Sequence, residues 1–60
     1  MNDFQKFIKV FEVTGVKYQI MESFKLKIEG KLVEKGIIVY GRVENLAFYF
    51  TEDGEFVEVI

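Results

Sequence analysis

Between Val16 and Leu32 the apolar side chains fall on even-numbered positions: Val16, Tyr18, Ile20, Phe24, Leu26, Ile28 and Leu32, with Glu22 and Gly30 the exceptions. The odd positions are mostly polar or charged, as at Lys17, Gln19, Ser23, Lys25, Lys27, Glu29 and Lys31. A period of two held this long predicts extended chain with one buried and one solvated face. Glu22-Ser23 interrupts the alternation without the Gly or Asn that a two-residue hairpin prefers. Either a wide turn sits there or one strand bends through it. A three-residue loop centred on Ser23 pairs Ile20 with Leu26 on one face, and this parity leans to the turn.

Ahead of that stretch, Phe4, Phe7, Ile8 and Phe11 follow the i, i+3, i+4, i+7 spacing of one helical face and predict a helix over residues 3–13. Asn2 is placed to cap it, with Gln5 three residues later completing a capping box. Gly15 stands where the helix end favours a left-handed residue. Val10 and Val13 widen the apolar face. A helix of about three turns is marginal by itself, so this one must be held by packing.

Beyond the alternation, Glu34-Lys35-Gly36 reads as a three-residue hairpin loop with Gly36 at the position needing positive φ. It joins a strand ending near Val33 to Ile37-Ile38-Val39-Tyr40. Gly41 to Asn45 forms a weaker connection or bulge, and Leu46 to Phe50 is the next strand. Glu52-Asp53-Gly54 is a second loop of the same length, returning the chain through Phe56 to Ile60. That loop sets Phe50 opposite Phe56 and Tyr49 opposite Val57. The resulting fold is α+β: one N-terminal amphipathic helix packed on an antiparallel four- or five-stranded meander sheet, a single domain over residues 1–60.

The strands from Ile37 and from Leu46 are apolar on both faces, which is how strands buried on both sides read. One helix covers one face. A second copy of the chain, related by a two-fold axis, is the simplest cover for the other. The expected interface residues, toward that copy or toward another protein partner, are Ile37, Val39, Ala47, Tyr49, Val57 and Val59. Glu44, Glu52 and Asp53 flank the most apolar window and discourage uncontrolled strand stacking.

Composition strengthens this picture. Half of the 60 residues are hydrophobic and ten are Phe or Tyr, while a chain this short buries only about 60% of the surface its unfolded form exposes. Small domains are commonly stapled by disulfides, a metal or a partner. Cys and His are absent, so disulfides and the common zinc sites are excluded and association is left. No stretch approaches the roughly 18 apolar residues of a membrane span. Asp3, Lys6 and Lys9 interrupt the N-terminal apolar positions, unlike a signal peptide. A cytoplasmic protein that engages no membrane is the expectation.

The net charge is −2, but residues 1–42 carry +3 and residues 43–60 carry −5. Without His or Cys, and with only Thr14, Ser23 and Thr51 as aliphatic hydroxyls, no Ser–His or Cys–His pair can be assembled. A single small sheet also offers no deep cleft to raise a carboxylate pKa, so no catalytic residue and no cofactor is implied. Glu52, Asp53 and Glu55 around Gly54 do not match a calcium loop, and an Asp-Gly turn explains them locally. No metal site is implied. Lys17, Lys25, Lys27 and Lys31 fall on one face of the alternating stretch and, with Arg42, are the candidate anion-binding residues. They support a second reading, a binder of a nucleotide or nucleic acid. The aromatic platforms of single-strand binders are missing from that face, where Tyr18 and Phe24 point the other way.

The layout resembles that of very short phage-encoded proteins: an N-terminal helix, Gly15-Val16-Lys17-Tyr18 leading into the first strand, and a closing Phe-x-x-Asp-Gly-x-Phe hairpin at Phe50, Asp53, Gly54 and Phe56. Among these it resembles the small anti-defence proteins of bacterial viruses, including inhibitors of the Hachiman defence system. The resemblance implies a compact homodimer that binds and blocks a host protein, in the host cytoplasm, without enzymatic activity. It carries over no functional residue. The leading expectation is thus a small non-catalytic protein-interaction module.

Overall fold

A computed structural model describes all residues, Met1–Ile60. Helix α1 spans Asp3–Thr14, and five strands follow: β1 Tyr18–Met21, β2 Leu26–Ile28, β3 Lys31–Tyr40, β4 Asn45–Thr51 and β5 Phe56–Val59. The sheet is antiparallel in the order β1-β3-β4-β5, with β2 also pairing with β3. It is therefore four strands wide, because β1 and β2 occupy the same edge of the long β3 one after the other. This is the expected α+β class.

The helix forms as its local signals require. The Asn2 side chain accepts from the Gln5 N–H at 2.9 Å while Gln5 Oε1 accepts from the Asn2 N–H at 3.2 Å. At the other end Gly15 takes φ 76° and its N–H donates to the Phe11 carbonyl. Three further bonds dock the helix start onto the β4–β5 hairpin. Asn2 Nδ2 donates to the Asp53 carbonyl, the Phe4 N–H donates to the Gly54 carbonyl, and the Phe56 N–H donates to Asp3 Oδ2 at 3.0 Å. The first turn is thus tied to the hairpin some fifty residues downstream, which sets where the helix crosses the sheet.

The core lies between α1 and the sheet. Phe4, Ile37 and Phe50 are buried at its centre, ringed by Phe7, Ile8, Phe11, Tyr18, Val39, Phe48 and Phe56. Phe7 stacks on Phe56 with centroids 5.2 Å apart and meets Phe50 and Phe48 edge-on. Such ring pairs add about 0.5–1.5 kcal/mol each beyond the area they bury. Lys35 lies on the same side, its Nζ 5.2 Å from the Phe4 ring centroid.

Two expectations about turns are corrected. Glu22-Ser23 is a bend and not a turn: Tyr18–Met21 pair with Val39–Gly36, and Leu26–Ile28 pair with Val33–Lys31 on the same neighbour. The hairpin comes later, at Glu29-Gly30, with φ of 52° and 80°. Two consecutive left-handed residues make the tight turn whose twist suits a hairpin, and Gly30 takes its half without steric cost. Glu34-Lys35-Gly36 is not a loop but the middle of β3, with a bulge between Val33 and Lys35. Gly36 is small for another reason. A Cβ there would stand 2.8 Å from Met21 Cε and 3.4 Å from Phe24 Cζ, so these two side chains lie over the bare backbone.

The remaining connections fall where expected. Residues Gly41–Glu44 link β3 to β4, with Tyr40 opposite Asn45, and Glu52-Asp53-Gly54 turns the chain into β5. Phe50 meets Phe56 as anticipated, but a register shift sets Tyr49 opposite Glu58 and not Val57.

Candidate interaction surfaces

Ladder register sorts the sheet side chains between its two faces, because residues directly opposite each other project the same way. Ile37, Phe48 and Phe50 belong to the helix side; Val39 packs against the same core and Ile20 is paired with Ile37. The neighbours between them project away from α1: Gln19, Met21, Gly36, Ile38, Ala47 and Tyr49. Phe24 joins this second face, its ring 6.2 Å from Tyr49 and edge-on to it. Val33 is opposite Thr51 and Leu26 on that side, Ile28 follows Leu26 by alternation, and both Ile28 and Val33 are buried outside the helix-side core cluster. The Tyr40 hydroxyl donates to Gln19 Oε1 at 2.6 Å along the same face.

No second helix or sheet lies over Ile38, Ala47 and Tyr49. They are half-buried, Tyr49 in part by the Phe24 ring from the bend between β1 and β2. This is an apolar strand surface with a polar rim formed by Gln19, Glu58 and the Tyr40–Gln19 bond.

The six expected interface residues do not share one surface. Ile37 is fully buried beneath the helix and presents no side chain to a partner, and Val39, half-buried, packs on the same core on the helix side. Two adjacent isoleucines, Ile37 and Ile38, differ only in parity, and the register gives the inner place to Ile37. Ala47 and Tyr49 lie on the uncovered face. Val59 is opposite Phe48 on the helix side and 43% exposed, while Val57 is half-buried at the β5 register shift. Sequence reasoning missed Met21, Phe24 and Ile38, whose membership follows from the bend at residues 22–25 and from β3 pairing with both β1 and β2.

The candidate anion-binding residues are likewise dispersed. Lys17 precedes β1, its carbonyl accepting from the Tyr40 N–H, and Lys31 begins β3 at the opposite end. Nine residues of strand separate those ends, roughly 30 Å. Lys25 pairs with Glu34 at 3.7 Å. Lys27 is opposite Leu32 and projects to the other side from Lys31, which is opposite Ile28. Arg42 lies in the β3–β4 connection. The bend at residues 22–25 breaks the single lysine face that uninterrupted alternation predicts, and no three of the five cations converge on one point. A shallow depression at the bend, lined by Glu22, Ser23, Phe24, Lys25, Glu34 and Lys35, carries both signs of charge.

One titration is displaced. The Tyr18 phenol is raised above the ordinary tyrosine value, first by loss of solvent around the ring and then by the Glu12 carboxylate, whose Oε1 accepts from the Tyr18 hydroxyl at 3.2 Å. This contact ties the last turn of α1 to β1 and lies away from the uncovered face.

No helix is long and apolar enough to cross a membrane. No family model, curated protein or solved structure matches the chain.

Proposed function

We propose that this protein is a small non-catalytic interaction module that works as a homodimer, pairing through the sheet face opposite α1 and occupying a surface of a protein partner. The observation that carries this reading is the uncovered apolar patch of Met21, Phe24, Ile38, Ala47 and Tyr49. Apolar surface of this kind on a soluble chain marks contact with another surface. A two-fold pairing makes the patch its own complement. A stable interface needs about 800 Å² from each partner, against 4356 Å² exposed by the single chain. Blocking a host protein is the role that the resemblance to viral anti-defence proteins implies, and it asks for surface rather than chemistry.

The test is mass in solution. At micromolar concentration the protein sediments as a dimer, and Tyr49→Lys sediments as a monomer while keeping its helical circular dichroism. A wild-type monomer, or a dimer indifferent to Tyr49→Lys, refutes the pairing.

A further inference from the structure

A second surface lies on the other side of the sheet, beside the outer edge of β5. β5 is the last strand in the order and has no neighbour beyond it. Ile60 exchanges both backbone hydrogen bonds with Ala47, at 2.8 and 2.9 Å. Alternation along an antiparallel ladder then turns the N–H and C=O of Val59 outward, away from β4. At the other end of the strand the Phe56 N–H is already taken by Asp3 Oδ2. The open part of the edge is therefore Val57 to Ile60.

Next to this edge runs a cleft of about 260 Å³ between α1 and the sheet, lined by Lys6, Phe7, Val10, Phe11 and Phe48. Val10 in this lining is 54% exposed, and the apolar character continues past the cleft to Val59, opposite Phe48 on the same face and 43% exposed. A free strand edge and an apolar cleft side by side define the shape of their occupant. An added strand satisfies the outward backbone groups of Val59 and places every second side chain in the cleft. A helix laid in the cleft would leave the edge unpaired.

Charge defines the rest. Glu58 projects from β5 to the opposite face beside Tyr49, Glu52, Asp53 and Glu55 sit along the hairpin, and residues 43–60 contain no base. None of these acids is in an ion pair, the one such pair in the chain being Lys25–Glu34. In a second copy pairing its own β5 antiparallel, the register that joins the outward groups of Val57 and Val59 sets the two Glu58 carboxylates opposite each other, an unfavourable pairing of like charges. We propose that the β5 edge and the α1 cleft bind an extended segment of a partner protein, apolar at alternate positions and basic at those between. This rests on the interaction reading above and names its partner chemistry; the cleft lies on the face that the homodimer leaves free, and Glu58 stands at the rim of the paired face.

The probe is a hexapeptide of alternating valine and lysine, blocked at both ends, titrated into the isotope-labelled full chain and followed by amide resonances. Shifts are expected at Val59, Val10 and Phe48 and not at Ile38. The glutamate counterpart should bind at least about tenfold more weakly, since like charge across strands is destabilising. Val59→Pro removes the outward N–H while keeping an apolar side chain, and proline is tolerated where an edge N–H faces solvent. This variant should keep the fold and the dimer mass yet lose at least about tenfold in peptide affinity, a loss suited to a short edge carrying few hydrogen bonds. Glu58→Lys should reverse the preference toward the glutamate peptide without touching the backbone. Shifts confined to other surfaces, equal binding of the two peptides, or an unaltered preference in Glu58→Lys overturns the proposal. So does loss of dimer mass in Val59→Pro, which would make this edge the self-association surface. Failure of Tyr49→Lys to dissociate the dimer strikes the homodimer reading alone.

Discussion

Gly36→Ala adds one methyl group where β3 passes beneath Met21 and Phe24. The new Cβ would lie 2.8 Å from Met21 Cε, 3.4 Å from Phe24 Cζ and 3.4 Å from the Phe48 carbonyl oxygen. The first contact must open, and Met21 is flexible enough to move; the carbonyl is backbone and is not. Inserting a methyl into packed surroundings costs about 1–3 kcal/mol. Against this, alanine narrows the unfolded ensemble relative to glycine and returns about 0.4–1 kcal/mol. Gly36 is not at positive φ, so no backbone strain enters. The net expectation is a destabilisation of about 0.5–2 kcal/mol, from a total of roughly 3–9 kcal/mol for a domain of this length. Met21→Ala alone should cost about 1–2 kcal/mol, the half-buried share of a core methionine truncation. In the double variant the alanine methyl at position 36 occupies space that Met21 has vacated, so the two costs should fall short of their sum by about 0.5 kcal/mol or more. Urea unfolding of the four proteins, at one fixed protomer concentration because association contributes to stability, measures that coupling. Additivity within about 0.3 kcal/mol, or a Gly36→Ala protein more stable than the wild type, would show that Gly36 is not held small by this cover.

Two further outcomes follow from local geometry. Glu29 is a non-glycine residue at φ 52° in a two-residue hairpin turn, a position that asparagine suits better; Glu29→Asn should raise stability by about 0.5 kcal/mol or more in urea unfolding, and an unchanged midpoint would contradict the turn geometry. The raised Tyr18 pKa means that the folded chain holds the phenol proton more tightly than the unfolded chain does. Its contribution to stability is complete below the ordinary tyrosine range and fades as pH climbs through the folded value. Glu12→Gln should therefore lower the pH at which Tyr18 phenolate absorbance appears, without removing the part of the shift due to desolvation, and an unmoved titration would separate Glu12 from Tyr18.

Much of the architecture was legible wherever the deciding groups are close in sequence. The capping box at Asn2 and Gln5, the left-handed Gly15 and the Glu52-Asp53-Gly54 turn are all settled by backbone groups a few residues apart, and each appears as expected. The β2–β3 hairpin was not legible. Glu29-Gly30 lacks the Asn or Asp that announces such a turn, while Glu34-Lys35-Gly36 carries the local signature of a loop and forms none. What decides between them is the cover that Met21 and Phe24 give Gly36, a contact between strands. The surfaces divide similarly. Ala47 and Tyr49 were named as interface residues because their strand is apolar on both faces, which by itself leaves the face open; Ile37 and Ile38 are chemically identical neighbours, and only docking of Phe4 and Phe50 shows which faces inward. The lysines read as one stripe because they share odd-numbered positions along the alternation, whereas the bend at residues 22–25 changes the direction of the chain between Lys17 and Lys27.

By itself, the order of residues determined a single capped helix, an antiparallel sheet and more apolar side chains than one helix can cover. Caps, tight turns and periodicity act through bonds and sterics within a turn or a strand, so they survive without knowledge of the fold. Tertiary structure decided that β1 and β2 share one edge of β3, which of two adjacent isoleucines is core, and that β5 is left as a free edge beside a cleft. These depend on register and on docking between residues remote in sequence. A one-residue slip in register exchanges the two faces of a strand, so packing across the whole domain selects among arrangements that local preference leaves nearly equal.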